Sequence, residues 1–107
     1  MVEAGYDKTM NKHEAITKLK SCAEAVRARG ATSLYLFGSA ARDEAKRESD
    51  LDLFIDYDSN KKFSLVDLVG IKLLLEDALG VEVDVTTRDS LHPVLREEIE
   101  LSAVRVF

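Results

Sequence analysis

The segment "DLDLFIDYD", Asp50 to Asp58, constrains this chain more than any other. Apolar and acidic residues alternate along it with a period of two, which only an extended strand satisfies. Leu51, Leu53, Ile55 and Tyr57 then share one face, expected to meet a core; Asp50, Asp52, Phe54, Asp56 and Asp58 share the other. Two bare carboxylates about 5 Å apart repel by roughly 3 kcal/mol at an effective dielectric of about 20. Crowding of that kind calls for a compensating cation.

The neighbouring segments supply the rest of a sheet. "SLYLF" is rich in β-formers and stops at Gly38, so it reads as a strand ending in a tight turn. Ser39 is placed to cap a short helix over "AARDEAK". "VEVDVTT" alternates again, with Val81, Val83 and Val85 inward and Glu82, Asp84 and Thr86 opposite. Helical spacing of apolar residues predicts an amphipathic helix from Lys12 to Arg29, ended by Gly30, with Cys22 on its buried stripe as a small core residue. A second runs from about Ser64 to Leu79, carried by Leu65, Leu68, Val69, Lys72, Leu75, Glu76 and Leu79 and closed by Gly80. Pro93 suits the first turn of a last helix, "PVLREEIELSAVRV". The order is α-β-α-β-α-β-α, an α/β or α+β sheet covered by helices on one side. Residues 1–11 read as a flexible N-terminal tail and 12–107 as one domain.

Bulk properties exclude several classes. A chain of 107 residues holds one core. One third of the residues are charged and no apolar run approaches the roughly 18 residues of a membrane span, so no membrane association is expected. The N-terminal segment has no apolar signal-peptide core, so a cytoplasmic protein is expected. The single cysteine rules out an internal disulfide and a cysteine-based zinc cluster. A net charge of −5 speaks against strong binding to nucleic acid, but not against a nucleotide accompanied by a cation.

The acidic faces carry the chemistry. Should the "DLDLFIDYD" and "VEVDVTT" strands be neighbours, Asp50, Asp52 and Asp84 converge. Oxygen-only ligands favour Mg²⁺ or Mn²⁺ over zinc. Gly38-Ser39, where a strand enters a helix, can offer backbone N–H groups to phosphate oxygens, and Arg42 lies one turn along that helix. Metal held by carboxylates and facing a phosphate cradle makes phosphoryl or nucleotidyl transfer the natural reaction. Asp56, Asp58 and Glu82 read instead as solvated charges, and His13 and His92 as surface or capping residues. Lys46, Arg47, Lys61 and Lys62 read as a solvated basic edge.

Gly38-Ser39, ten intervening residues and Asp50-Leu51-Asp52 match the signature of the polymerase-β-like nucleotidyltransferase superfamily. The surrounding "LYLFGSAARDEAKRESDLDLFID" resembles its minimal members, the MNT proteins, commonly the antitoxin halves of HEPN/MNT toxin–antitoxin pairs. The likeness covers about residues 31–107. It implies the polymerase-β-like fold, a small mixed sheet covered by helices. It also implies that Asp50, Asp52 and Asp84 hold two Mg²⁺ ions, Asp84 helping to activate the acceptor hydroxyl. Gly38 and Ser39 would hold the β- and γ-phosphates, with Arg42 and Arg47 as helpers outside the core signature. The implied reaction moves AMP from ATP to a tyrosine of a HEPN partner and silences it. A chain this small leaves the acceptor to a macromolecular partner. Two readings stay open: an Mg²⁺-dependent protein adenylyltransferase, or an interaction module that neutralises its partner by binding.

Overall fold

The computed structural model describes residues 11–38, 41 and 51–107. Asn11 opens helix α1 (Lys12–Ser21) with a capping box, its side chain accepting from the Glu14 N–H while Glu14 accepts from the Asn11 N–H. The single helix expected from Lys12 to Arg29 is two, because α1 ends at Cys22 and α2 (Ala23–Ala28) follows. Local competition for carbonyls accounts for the break. The Ser21 hydroxyl donates to the Lys18 carbonyl at 2.6 Å, and the Cys22 N–H is drawn to the Leu19 carbonyl at 3.0 Å. Cys22 is buried on the stripe, as expected.

Strands β1 (Ala31–Phe37) and β2 (Leu51–Tyr57) pair antiparallel, and β2 pairs parallel with β3 (Val83–Thr87). A parallel pair needs a long crossover, here helix α3 (Leu65–Leu79). Ser64 caps α3 through a box with Asp67, and Gly80 ends it at φ +74° in the left-handed region. The 3₁₀ turn Arg88–Ser90 leads to α4 (Pro93–Ser102), whose N-cap is the His92 ring accepting from the Val94 N–H at 3.1 Å. The expected capping role of His92 and the place of Pro93 both hold.

The last helix was expected to run on through Val106. It stops at Ser102, and Val104–Arg105 form β4, antiparallel to β1, giving a mixed four-stranded sheet in the order β3-β2-β1-β4. The "VRVF" ending finds hydrogen bonds on the open edge of β1: Val106 N–H donates to the Leu34 carbonyl at 2.8 Å, and Leu34 N–H to that of Phe107 at 3.1 Å. The helix expected over "AARDEAK" and the tail before Asn11 lie outside the described residues, apart from Ala41, which is buried.

One sheet face holds the core. Leu34, Leu36, Leu51, Leu53, Ile55, Val83 and Val85 pack against Ala15 and Leu19 of α1, Val26 of α2, and Ile71, Leu75 and Leu79 of α3. Fully burying each leucine or isoleucine contributes roughly 1.5–3 kcal/mol. Leu65 and Val69, two of the residues whose spacing predicted this helix, face solvent. Leu65 is 73% exposed, Val66 77% and Leu73 58%, because the apolar residues of α3 spread beyond the stripe that faces the sheet. Tyr57 is only half-buried, stacked on Phe63 with ring centroids 4.9 Å apart.

Candidate active site

The second sheet face carries the acidic residues, and pairing brings them to one corner. Asp52 lies opposite Asp84 in the parallel register of β2 and β3, so both side chains project from the same face. Strand spacing puts their backbones about 4.8 Å apart. On the other side, Asp52 pairs with Phe37, the last residue of β1, and Gly38 follows.

Gly38 is required twice over. Its φ of +76° lies in the left-handed region that L side chains disfavour. A Cβ there would also stand 3.3 Å from the Asp52 carboxyl carbon and collide with its Oδ2. The glycine turn and the Asp-x-Asp strand are therefore in direct contact, the Asp52 carboxylate occupying the space that a side chain at 38 would need. Ser39, Arg42, Arg47 and Asp50 lie outside the described residues. Among the described residues no three His, Cys, Asp or Glu side chains come together to hold a metal; Asp50, expected as a member of the set, falls outside them. The donors in hand, Asp52 and Asp84, are hard oxygens, the chemistry that suits Mg²⁺ or Mn²⁺.

Lys72 of α3 reaches the same edge. Its ammonium donates to Glu76 Oε2 at 2.8 Å and to the Val83 carbonyl at 2.9 Å, one residue before Asp84. Its pKa is raised, chiefly by the Glu76 hydrogen bond, with smaller contributions from the charges of Glu76, Glu82 and Asp84. Glu76 is held below the usual carboxylate range by Lys72 and by the Val83 N–H.

Beyond the carboxylates the same face is aromatic. Phe54, fully buried, stacks on Tyr35 at 4.7 Å and tilts against Phe37 at 5.7 Å. The Arg88 guanidinium lies over both Tyr35 and Phe54, at 4.9 and 5.0 Å from the ring centroids. It grips Asp56 with two bonds of 2.7 and 3.0 Å and donates to Glu100 of α4 at 2.8 Å. Its pKa is raised by those two carboxylates. Asp56 is therefore no solvated charge: it ties β2 to α4 through Arg88 and holds the helix against the floor of this face. The sequence offered no signal for Arg88, because its partners are 32 and 12 residues away. An open hollow of about 470 Å³, lined by Tyr57, Phe63, Leu65, Leu68, Thr87 and Asp89, lies at the far end of β2 and β3. Five residues of strand, roughly 16 Å, separate it from Asp52.

Among the described residues, no helix is long and apolar enough to cross a membrane. The family model described as "Nucleotidyltransferase domain" matches residues 19–106. A chain of Methanocaldococcus jannaschii, assigned by name to the protein adenylyltransferases, is 48% identical over 71 residues, 66% of this chain and 74% of that one. A solved structure assigned to the minimal nucleotidyltransferases superposes with a TM-score of 0.69 at 36% identity, covering 89% of this chain and 95% of the other. A chain from the complex of a tri-AMPylated Shewanella oneidensis HEPN toxin with an MNT antitoxin superposes with a TM-score of 0.63 over 87% of this chain and 71% of that one. At 17% identity that likeness establishes the fold alone.

Proposed function

Since this chain belongs to the nucleotidyltransferase-domain family, with its polymerase-β-like fold, we propose that it is an Mg²⁺-dependent protein adenylyltransferase. It moves AMP from ATP to a hydroxyl of a HEPN-type partner and acts as that partner's antitoxin. The observation that carries this reading is the corner itself, with Asp52 in register with Asp84 and its carboxylate against the Gly38 turn. Relatives named as protein adenylyltransferases and a neighbour containing an AMPylated HEPN toxin supply the acceptor class.

In this mechanism Asp52 and Asp84, with Asp50 two residues before Asp52 in the sequence, would hold Mg²⁺. The bound ion would neutralise the triphosphate and the charge that builds on it during transfer. Gly38, with no side chain, lets the chain approach the β- and γ-phosphates closely, and Ser39 adds a hydroxyl. Arg42 and Arg47, close behind in the sequence, would assist in holding the phosphates. Asp84 orients the acceptor hydroxyl and takes up its proton as the oxygen attacks. The acceptor oxygen bonds to the α-phosphorus in line while the bond to the bridging oxygen breaks, and pyrophosphate leaves with that electron pair. The aromatic floor, pinned by Arg88, keeps the face rigid beside the reacting groups.

A second reading, neutralisation by binding alone, is favoured by the apolar residues that α3 and α4 turn to solvent, Val94 at 80% and Leu101 at 82% exposed among them. Intact-mass measurement of a HEPN partner co-expressed with this chain separates the two. Adenylylation predicts an AMP adduct with the wild type and none with Asp52→Asn. An unmodified partner that both forms inhibit equally would overturn the enzymatic reading.

A further inference from the structure

The outer edge of β3 raises a question that the carboxylates alone do not answer. β3 is an edge strand in the order β3-β2-β1-β4, so every second residue turns its backbone N–H and C=O away from β2. Leu51 is paired with Val83, and its N–H donates to the Glu82 carbonyl at 3.2 Å. Val83 is therefore the residue whose own N–H and C=O point outward. Both are taken up by side chains of α3. The Val83 N–H donates to Glu76 Oε2 at 3.1 Å, and the Val83 carbonyl accepts from Lys72 Nζ at 2.9 Å. Lys72 and Glu76 are bonded to each other at 2.8 Å, one helical turn apart. The result is a closed ring of hydrogen bonds that replaces a missing neighbouring strand at a single residue, the one before Asp84.

We propose that Lys72 and Glu76 form a positioning clamp for Asp84, fixing the peptide from which its carboxylate projects toward Asp52. The inference rests on the nucleotidyl-transfer reading above, and it adds two residues that the signature motif does not contain. An edge strand free to twist would let Asp84 drift relative to Asp52, and a displacement of about 1 Å at a catalytic group can cost on the order of 100-fold in rate. The clamp acts on the backbone, so neither residue needs to touch substrate. The pair carries no net charge, so it fixes geometry while adding little to the field along the strand. Its i,i+4 spacing on the β3-facing side of α3 gives a structural role to two of the helix's four charged residues, Asp67 and Asp77 being the others.

The test uses Lys72→Met/Glu76→Gln, which leaves the net charge of the pair at zero, with Lys72→Arg as the variant that keeps a donor. The measurements are Mn²⁺ binding by electron paramagnetic resonance, amide hydrogen exchange at Val83 and Leu53, and steady-state AMP transfer. Expected for the double variant is Val83 exchange faster by about tenfold or more with Leu53 protection retained. Mn²⁺ affinity should weaken by about three- to tenfold, and kcat should fall about tenfold or more with KM for ATP within about twofold. Lys72→Arg should stay within about threefold of the wild type in all three. A wild type that binds Mn²⁺ and transfers AMP, beside a folded double variant that matches it in both, would overturn the clamp and leave the function standing. A wild type that neither binds Mn²⁺ nor transfers AMP would overturn the function first, and the clamp's purpose with it.

Discussion

Replacing Gly38 by alanine is the sharpest perturbation of the site, because two separate costs meet at one atom. Alanine at φ +76° bears a left-handed backbone penalty of about 1–2 kcal/mol. Its Cβ also collides with Asp52 Oδ2, and the short aspartate side chain must leave its rotamer at a further cost of about 0.5–1.5 kcal/mol. Gly38→Ala should therefore destabilise by about 1.5–3.5 kcal/mol in urea titrations, with a fall in Tm of roughly 7–16 °C for a domain of this size. The two parts separate in a double-mutant cycle. In an Asp52→Ala background the collision disappears, so the same glycine substitution should cost only the backbone part, leaving a coupling of about 0.5–1.5 kcal/mol. Loss of Mn²⁺ binding in Gly38→Ala should exceed what its lower stability explains, since the carboxylate has been turned away. A cost below about 0.5 kcal/mol in the wild-type background would refute the left-handed turn. An equal cost in both backgrounds would refute the contact between the turn and the Asp-x-Asp strand.

Three further outcomes follow from the geometry. Arg88→Met should destabilise by about 2 kcal/mol, since it strands the partly buried Asp56 and Glu100, and Asp56→Asn should recover part of the loss in urea titrations. Glu76, Asp89 and Glu100 have pKa values lowered in the folded state, Glu76 chiefly by Lys72, Asp89 by Thr87 and Glu100 by Arg88, so they stabilise fully above the unfolded carboxylate range. The urea midpoint should hold between pH 6 and 8 and fall as pH drops below about 5 through the folded values, less steeply in Glu100→Gln. Asp52→Asn should leave metal-free stability unchanged or slightly raised by relieving like-charge repulsion, while Mg²⁺ with a non-hydrolysable ATP analogue should raise the wild-type Tm more than the variant's; equal rises would count against Asp52 as a ligand.

The strands that build the site were legible because each residue of "DLDLFIDYD" and "VDVTT" reports its face directly through a period of two. The end of α3 was legible too, since Gly80 is a local signal. What escaped depended on long-range partners. Asp56 read as solvated because its partner Arg88 is 32 residues away. β4 read as helix because "AVRV" continues the apolar spacing of α4, and only the free edge of β1 turns it into a strand. The spacing of α3 predicted a helix but did not say which of its many apolar residues face the sheet, and Leu65 and Val69 face solvent. The break at Cys22 came from hydrogen bonds within a single turn, too small to disturb an amphipathic pattern. At the site, the spacing of Gly38-Ser39 and Asp-x-Asp flagged both segments, but the contact of Gly38 with Asp52 and the clamp on Val83 became visible only in the folded sheet.

Transfer from ATP labelled at the α-phosphorus, set beside ATP labelled at the γ-phosphorus, tests the central claim most directly. Purified chain, Mg²⁺ and a purified HEPN partner should place α-label on the partner and release γ-label as pyrophosphate, with both signals lost in Asp52→Asn and in Asp84→Asn. Label on the partner from the γ-position, or α-label transfer undiminished in both variants, would contradict the account.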